Sequence, residues 1–253
     1  MGAGHGHKLH YHGHSPLHRA PAHLKILALL GFMIVVVATP RDWYAAFVVY
    51  FLALLVVVLI SRVPPTYLLK RSVVEVPFVA FAVLLPFVAT GPQTEVLGVS
   101  VSQHGLEAGI ALLVKGTLGV LASLTLAATT EPQDLLLGLE RLRVPQQLVQ
   151  IMAFMVRYLD VVTGEMQRMK VARESRGFTA RNPKHWPVLA RSAGALFIRS
   201  YERGERVHLA MVSRGWSGRM PVTAPLVATP GQWALALAPA AVAAVVTLGV
   251  RLG

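Results

Sequence analysis

The chain has 253 residues, of which 54% are hydrophobic, 14% are charged and none is cysteine. A soluble domain carries about 25% charged residues, and the mean hydropathy of +0.55 also lies on the apolar side. This composition excludes a soluble enzyme, a disulfide framework and a thiolate metal site, and it predicts an all-α, polytopic helical membrane protein.

The first 23 residues form a polar leader that is rich in histidine. No convincing cleavage site follows the first apolar run, so we expect that run to be retained as a span rather than removed with a signal peptide. Imidazole groups bind divalent transition metals, which makes the leader a weak metal-site candidate; a flexible cytoplasmic tail is the interpretation that we favour. The candidate ligands are His5, His7, His10, His12 and His14.

Five apolar segments are long enough to cross a bilayer, which takes about 20 residues in a helix. The third segment contains Pro77 and Pro86, and these residues predict a kink. The first four spans make up a membrane region over residues 24–130, and the last lies within residues 221–253. The spans are predicted at residues 24–40, 43–61, 73–90, 106–129 and 231–250.

The charges of the connecting segments predict the orientation. The leader and loop 62–71 are basic, whereas the alternate loops carry acidic residues. Because Lys and Arg accumulate on the cytoplasmic side, we expect a cytoplasmic N-terminus, cytoplasmic residues 131–220 and an external C-terminus. We therefore attribute the formal net charge of +12 to the positive residues that orient the chain in the membrane, and not to nucleic-acid binding.

The predicted cytoplasmic domain, residues 131–220, holds 15 of the 24 Lys and Arg residues. Its apolar residues recur at helical spacing, which predicts amphipathic helices at 131–143, 146–176 and 186–214. The first begins at a capping-box spacing that starts at Thr130. The stripe of the second helix includes Met152, Met155, Met166 and Met169. Methionines can repack against a moving partner, although ordinary core packing gives the same pattern.

The third amphipathic helix carries two small residues four positions apart, Ser200 and Gly204. Small residues at this spacing allow two helix backbones to cross closely. These two residues are therefore candidates for supporting the coupling helices where another helix crosses.

A seven-residue motif occurs twice in the same domain. Ala172 begins Ala-Arg-Glu-Ser-Arg-Gly-Phe, and Ala210 begins Ala-Met-Val-Ser-Arg-Gly-Trp. Each copy ends an amphipathic helix, where glycine suits the left-handed position and arginine complements the helix dipole. Taken singly, each copy is an ordinary basic helix end. Together, Ser175-Arg176-Gly177 and Ser213-Arg214-Gly215 indicate two arginines presented to two equivalent sites on a symmetric partner.

At these residues the chain resembles the T component of energy-coupling-factor (ECF) transporters, and within it the CbiQ-type permeases of cobalt uptake systems. The family's two arginine-centred motifs are usually Ala-Arg-Gly, so Ser175 and Ser213 replace a small residue by another small residue. The resemblance extends over most of the chain, and the string that begins at His14 favours the cobalt branch. Further matching segments are 129–132, 141–145, 154–158, Glu165 and 196–203.

The resemblance implies a mechanism shared by several subunits. Two cytoplasmic ATP-binding-cassette ATPases would bind ATP-Mg, and the coupling helices would carry their motion to a separate CbiM-like substrate-binding subunit that holds Co2+. The chain would bind no cofactor itself, would catalyse no reaction and would reside in the bacterial plasma membrane. In agreement, the sequence has no G-x-x-x-x-G-K-[ST] loop and no H-E-x-x-H motif.

Other functions remain open from the residues alone. A self-sufficient metal transporter would carry ionisable groups in its spans, and Lys115 is the main candidate for one. A membrane enzyme could use His185 or His208, although neither has a partner by spacing. Within the resembling family, a nickel or vitamin system is the alternative to cobalt.

Overall fold

The computed structural model describes residues 11, 13, 15–96, 99–179, 182–216, 218 and 229–252. All five candidate histidine ligands of the leader lie outside this described part. The described residues form two compact units, one from residues 11–141 and 229–252 and the other from residues between 142 and 218. We call the first the membrane unit and the second the two-helix unit.

The elements follow one another almost as the apolar patterning predicts. In chain order they are α1 (Pro16–Arg19), α2 (Ala22–Ala38), α3 (Tyr44–Ser61), α4 (Pro65–Arg71), α5 (Val76–Val88), β1 (Gln93–Val96), β2 (Val99–Ser102), α6 (Gln103–Thr129), α7 (Pro132–Arg141), α8 (Gln146–Glu174), α9 (Trp186–Val212) and α10 (Pro230–Leu252).

Helices of the membrane unit overlap every predicted span. Three stretches are long and apolar enough to cross a bilayer, and two shorter apolar helices accompany them. The prediction of a helical membrane protein is confirmed. The three stretches are Tyr44–Ser61, Pro65–Val88 and Gln103–Thr129, and the shorter helices are Ala22–Ala38 and Ala236–Val245.

The stretch Pro65–Val88, which covers the third predicted span, is not one regular helix. A 3-10 turn at Ser72–Glu75 separates α4 from α5, and Pro77 lies in the first turn of α5. Proline lacks an N–H donor and disfavours helical geometry in the residue before it, so the irregular turn precedes it. The loop expected after this span contains a small antiparallel hairpin, in which Gln93 pairs with Ser102.

The core of the membrane unit lies between α2, α3, α6 and α10. Tyr50 is fully buried there, and its hydroxyl lies 3.0 Å from Thr39 Oγ1 and 2.7 Å from Thr247 Oγ1. This polar cluster links three helices and satisfies a hydroxyl that would be costly to bury alone. The apolar core consists of Phe32, Val36, Ala46, Phe47, Tyr50, Leu54, Leu118, Ala122 and Ala243.

Helices α5 and α6 cross at two glycines. A Cβ placed on Gly109 would lie 2.6 Å from Ala82 O, and one placed on Gly105 would lie 2.8 Å from Pro86 Cα. The two glycines are four residues apart, which is the spacing that lets membrane helices approach closely. The backbones therefore touch at a point that no larger side chain can occupy.

The leader is part of the fold at Tyr11 and from Ser15 onward. The Tyr11 N–H donates to Ala128 O at 2.9 Å, and buried Ser15 caps α1 through its hydroxyl. Tyr11 thus binds the end of α6 and Ser15 starts α1, whereas the histidines for which a flexible tail is predicted lie outside the described residues.

Candidate coupling surface of the two-helix unit

The two repeated motifs fold into the same helix end. Glycine follows the arginine in each copy with a positive φ, +75° at Gly177 and +80° at Gly215. The N–H of Phe178 donates to Arg173 O, and that of Trp216 donates to Met211 O, both at 3.1 Å. This six-to-one bond beside a left-handed glycine defines a Schellman motif, as the sequence predicts.

The match between the copies extends to the serines. Ser175 Oγ donates to Ala172 O and Ser213 Oγ donates to Ala210 O, each at 3.1 Å. The serines also share backbone angles, with φ and ψ of −66° and −19° at Ser175 and −63° and −18° at Ser213. In each copy the hydroxyl binds the carbonyl three residues back, so the serine side chain is satisfied within the helix end.

Both arginines of the motifs are exposed. Neither the guanidinium of Arg176 nor that of Arg214 forms a hydrogen bond or ion pair with a residue that the structure describes. An arginine presents five donors in a rigid fork, and no described residue binds these donors at either helix end. The described part of the chain thus carries two exposed guanidinium groups in matching helix ends.

A histidine packs against the aromatic residue of each motif. The rings of Phe178 and His185 have centroids 5.1 Å apart, and those of His208 and Trp216 are 5.7 Å apart. His185 Nδ1 also donates to Thr179 O at 3.1 Å. These contacts place both histidines in packing roles beside the helix ends.

An ion-pair cluster joins α8 to α9. Glu165 Oε1 accepts from Arg199 Nη1 at 2.7 Å, and Glu165 Oε2 accepts from Arg168 Nη2 at 2.6 Å. Hydrogen bonds from Arg168 and then Arg199 lower the pKa of the Glu165 carboxyl below its usual value. The sequence patterning did not predict this connection, because the partners on α8 and α9 are 34 residues apart.

Gly204 makes no close backbone crossing with another helix among the described residues. A Cβ at Gly204 would meet no atom within 4 Å among the described residues, because long side chains such as Arg199 and Glu165 span the gap between the helices. A cavity of about 390 Å³ separates them instead, and its lining includes Tyr158, Ser200 and Gly204.

The apolar stripes of both helices remain largely uncovered in the chain alone. Met155 is 65% exposed, Met166 is 54% exposed, and Met152 and Met169 are half-buried. On α9, Phe197 is 71% exposed. Ala172 and Ala210 are exposed as well. Exposed apolar side chains clustered on one helix face are typical of interaction sites.

The structure also shows what the ionisable groups of the spans do. Lys115 Nζ donates to Val37 O at 2.9 Å and to Thr39 O at 2.8 Å. This lysine therefore binds the end of a helix. No cluster of three or more His, Cys, Asp or Glu suited to a metal occurs among the residues that the structure describes.

These observations define a class: a polytopic helical membrane protein with two amphipathic helices that end in matched, exposed arginines. The sequence model of the cobalt transport protein family CbiQ matches residues 13–223. The chain belongs to this family.

Named relatives agree with this assignment. The chain is 28% identical over 209 residues to the cobalt transport protein CbiQ of Rhodobacter capsulatus, covering 80% of this chain and 84% of that protein. It is 26% identical over 225 residues to the energy-coupling factor transporter transmembrane protein EcfT of Listeria innocua, covering 81% and 82%. These relatives are membrane components of transporters.

Two archaeal relatives match over a smaller share of their own length. A putative fused cobalt transport protein CbiMQ of Methanocorpusculum labreanum is 27% identical over 219 residues, which is 81% of this chain and 36% of that protein. The chain spans 46% of the uncharacterized protein MJ1089 of Methanocaldococcus jannaschii, with 34% identity over 122 residues, or 48% of this chain.

Proposed function

We propose that this chain is the T subunit of an ECF-type importer that takes up cobalt ions. Two ATP-binding-cassette ATPases bind the two-helix unit on the cytoplasmic side of a bacterial plasma membrane, and a separate CbiM-like subunit holds the Co2+ cargo. The chain itself catalyses no reaction. It transmits the ATP-driven motion of the ATPases to the substrate-binding subunit.

The observation that carries this proposal is the pair of matched helix ends. Two equivalent ATPase subunits offer two equivalent grooves, and the chain offers two arginines with the same backbone geometry and no described partner. Each guanidinium can bind carboxylates or helix-end carbonyls in such a groove. The dipole of the helix holds the cation at its C-terminal end.

The exposed apolar stripes support a second partner. Methionines such as Met155 and Met166 let one surface pack against a subunit that changes position during transport. The fused CbiMQ relative supports a CbiM-like subunit in that place. Cobalt is the cargo in this proposal because the CbiQ family and two named relatives are cobalt transport proteins.

The test replaces the two arginines in the assembled complex. Truncation of a buried arginine anchor commonly costs about 2 kcal/mol, so Arg176→Ala or Arg214→Ala should weaken ATPase binding by about thirtyfold. The double variant should release the ATPases or uncouple ATP hydrolysis from cobalt uptake. Lysine at either position should restore little of the ATPase binding, because its single ammonium charge cannot reproduce the paired donors of the guanidinium group.

The matched control is Arg173→Ala, in the last turn of α8 and three residues before Arg176. A general electrostatic surface would respond to the loss of any of these charges, whereas a specific groove responds only to the motif arginines. ATPase co-purification and cobalt uptake are measured for each variant. Normal assembly and uptake in the double variant would reduce the motifs to helix caps.

A further inference from the structure

Lys25 is a buried lysine at the point where α6 ends and α7 begins. It lies in the first turn of α2 and is 6% exposed. Its amine donates to Thr129 O at 2.9 Å and to Thr130 Oγ1 at 3.1 Å, and it lies 3.5 Å from His18 O. Three acceptors face the three N–H donors of the ammonium, which is the condition for burying such a charge.

Thr130 and Glu131 separate the two helices. The Thr130 backbone is extended, with φ of −138° and ψ of 127°, between the end of α6 and the start of α7 at Pro132. The capping-box spacing predicts that Thr130 caps α7. In the structure, the Thr130 hydroxyl accepts a hydrogen bond from Lys25. Lys25 therefore binds two groups at the bend: the last carbonyl of α6, which is Thr129 O, and the side chain of the connecting residue Thr130.

Other groups of the N-terminal segment hold the same bend. The Tyr11 N–H donates to Ala128 O, the carbonyl just before Thr129. His18 Nε2 donates to Tyr11 O at 3.0 Å, and Ser15 Oγ lies 2.7 Å from His18 Nδ1. We call residues 11, 13 and 15–25 the N-terminal brace.

The far side of the bend is held as well. A Cβ on Gly138 of α7 would lie 2.9 Å from His23 N and 3.0 Å from Ala22 Cβ. Helix α7 thus lies directly on the first turn of α2, which also carries Lys25. The brace therefore contacts the end of α6, and the first turn of α2 contacts α7.

We infer that Lys25 is a positioning residue for coupling: through the N-terminal brace it sets the direction in which α7 leaves α6. This inference rests on the proposed function, in which motion of the two-helix unit reaches the membrane unit. The chain passes from the membrane unit to the two-helix unit after Arg141, the last residue of α7. A fixed bend at Thr130 carries a displacement of α7 into α6, whereas a loose bend absorbs it.

The chain supplies a matched control for this role. Lys115 caps the opposite end of the same helix pair, where it donates to Val37 O and Thr39 O. Lys25→Met and Lys115→Met each remove an ammonium that binds helix-end carbonyls. Only the first of these changes lies at the bend between α6 and α7.

The first measurement is hydrogen exchange on the purified full-length chain. The Leu135 amide, which donates to Glu131 O at the start of α7, reports on the bend. Loss of a hydrogen bond to a charged group should raise its exchange rate by about tenfold in Lys25→Met. The same amide should exchange at the wild-type rate in Lys115→Met.

The second measurement is the number of cobalt ions taken up per ATP hydrolysed in the reconstituted complex. Lys25→Met should lower this ratio by about tenfold while the complex still assembles, and Lys25→Arg should restore most of it. Thr130→Val removes one acceptor with little change in shape, so it should lower the ratio less. This milder variant tests the inference even if Lys25→Met does not fold.

If Lys25 only stabilises the fold, Lys25→Met and Lys115→Met should change the number of cobalt ions taken up per ATP equally. Equal effects of Lys25→Met and Lys115→Met on the ratio, or wild-type exchange at Leu135 in Lys25→Met, would overturn the inference. If the wild-type complex takes up no cobalt with ATP, the proposed function fails instead, and the exchange comparison still decides whether Lys25 holds the bend.

Discussion

Lys25 and Lys115 bind opposite ends of the antiparallel pair formed by α2 and α6. Each lysine belongs to one helix and binds the C-terminal end of the other. Lys25 on α2 donates to Thr129 O at the end of α6, and Lys115 on α6 donates to Val37 O at the end of α2. The last four carbonyls of a helix have no partner within it, and a cation there also complements the dipole. The two lysines of the predicted spans thus act as reciprocal helix caps, which weakens the interpretation of Lys115 as a transport residue.

Gly109→Ala should destabilise the membrane unit. The added methyl group would lie 2.6 Å from Ala82 O, so α5 and α6 would have to separate. Overpacking of this kind costs about 1–3 kcal/mol. The measurement is thermal unfolding in detergent, with Gly116→Ala as the control because a Cβ at Gly116 meets no atom of the described residues within 4 Å. Equal melting temperatures for the two variants would contradict the close crossing.

Alanine at Gly177 or Gly215 should strain the motif ends. Both glycines have a positive φ and open space around the Cβ position, so the cost comes from the backbone alone, about 1–2 kcal/mol per residue. The strained end should shift the neighbouring arginine and weaken ATPase binding.

The contrasting variant for this prediction is Gly194→Ala. Gly194 lies within α9 with the same open surroundings, and alanine there should stabilise the helix by about 0.5–1 kcal/mol. Thermal unfolding and ATPase co-purification are measured together. We expect the melting temperature to fall with alanine at Gly177 and to rise with alanine at Gly194. Destabilisation at both positions would argue against backbone strain as the cause.

The ion pairs of Glu165 should make the packing of α8 against α9 sensitive to acid. The pKa of Glu165 is lowered in the folded chain, so its stabilising contribution is complete above the unfolded value, near 4.5, and is lost as the pH falls through the folded value. The difference in melting temperature between wild type and Glu165→Gln should therefore shrink as the pH falls from 6 to about 3.

Arg199→Met provides the matched comparison for this pH effect. It removes the hydrogen bond that crosses from α9 and leaves Arg168 on α8 in place. The pH dependence attributed to Glu165 should become smaller in this background. An unchanged pH dependence would show that Arg199 does not lower the pKa.

The orientation of the chain can be tested by single-cysteine labelling, because the native sequence has no cysteine. An impermeant maleimide added to intact cells should label Gln93→Cys in the loop after α5. It should not label Lys184→Cys, an exposed position in the two-helix unit. Labelling of Lys184→Cys from outside would reverse the predicted topology.

The sequence by itself determined the helices and the two motif ends. Apolar length and proline positions are properties of contiguous residues, and the left-handed turn depends on the glycine at Gly177 or Gly215. The helix-end geometry of both motifs was therefore predicted correctly from a few neighbouring residues. The roles of Arg176 and Arg214 stay predictions, because they depend on subunits outside this chain.

Only the tertiary structure decided which distant groups meet. Lys25 and its acceptor Thr129 O are separated by 104 positions, and nothing in the spacing names that carbonyl among all the helix-end carbonyls of the chain. The same limit applies at Gly204, where a small residue permits close approach but does not require it. Gly109 has the same chemistry and is buried against α5, because the α5 backbone happens to lie there. Local conformational energies are encoded residue by residue, whereas contacts between helices depend on how every helix of a unit packs at once.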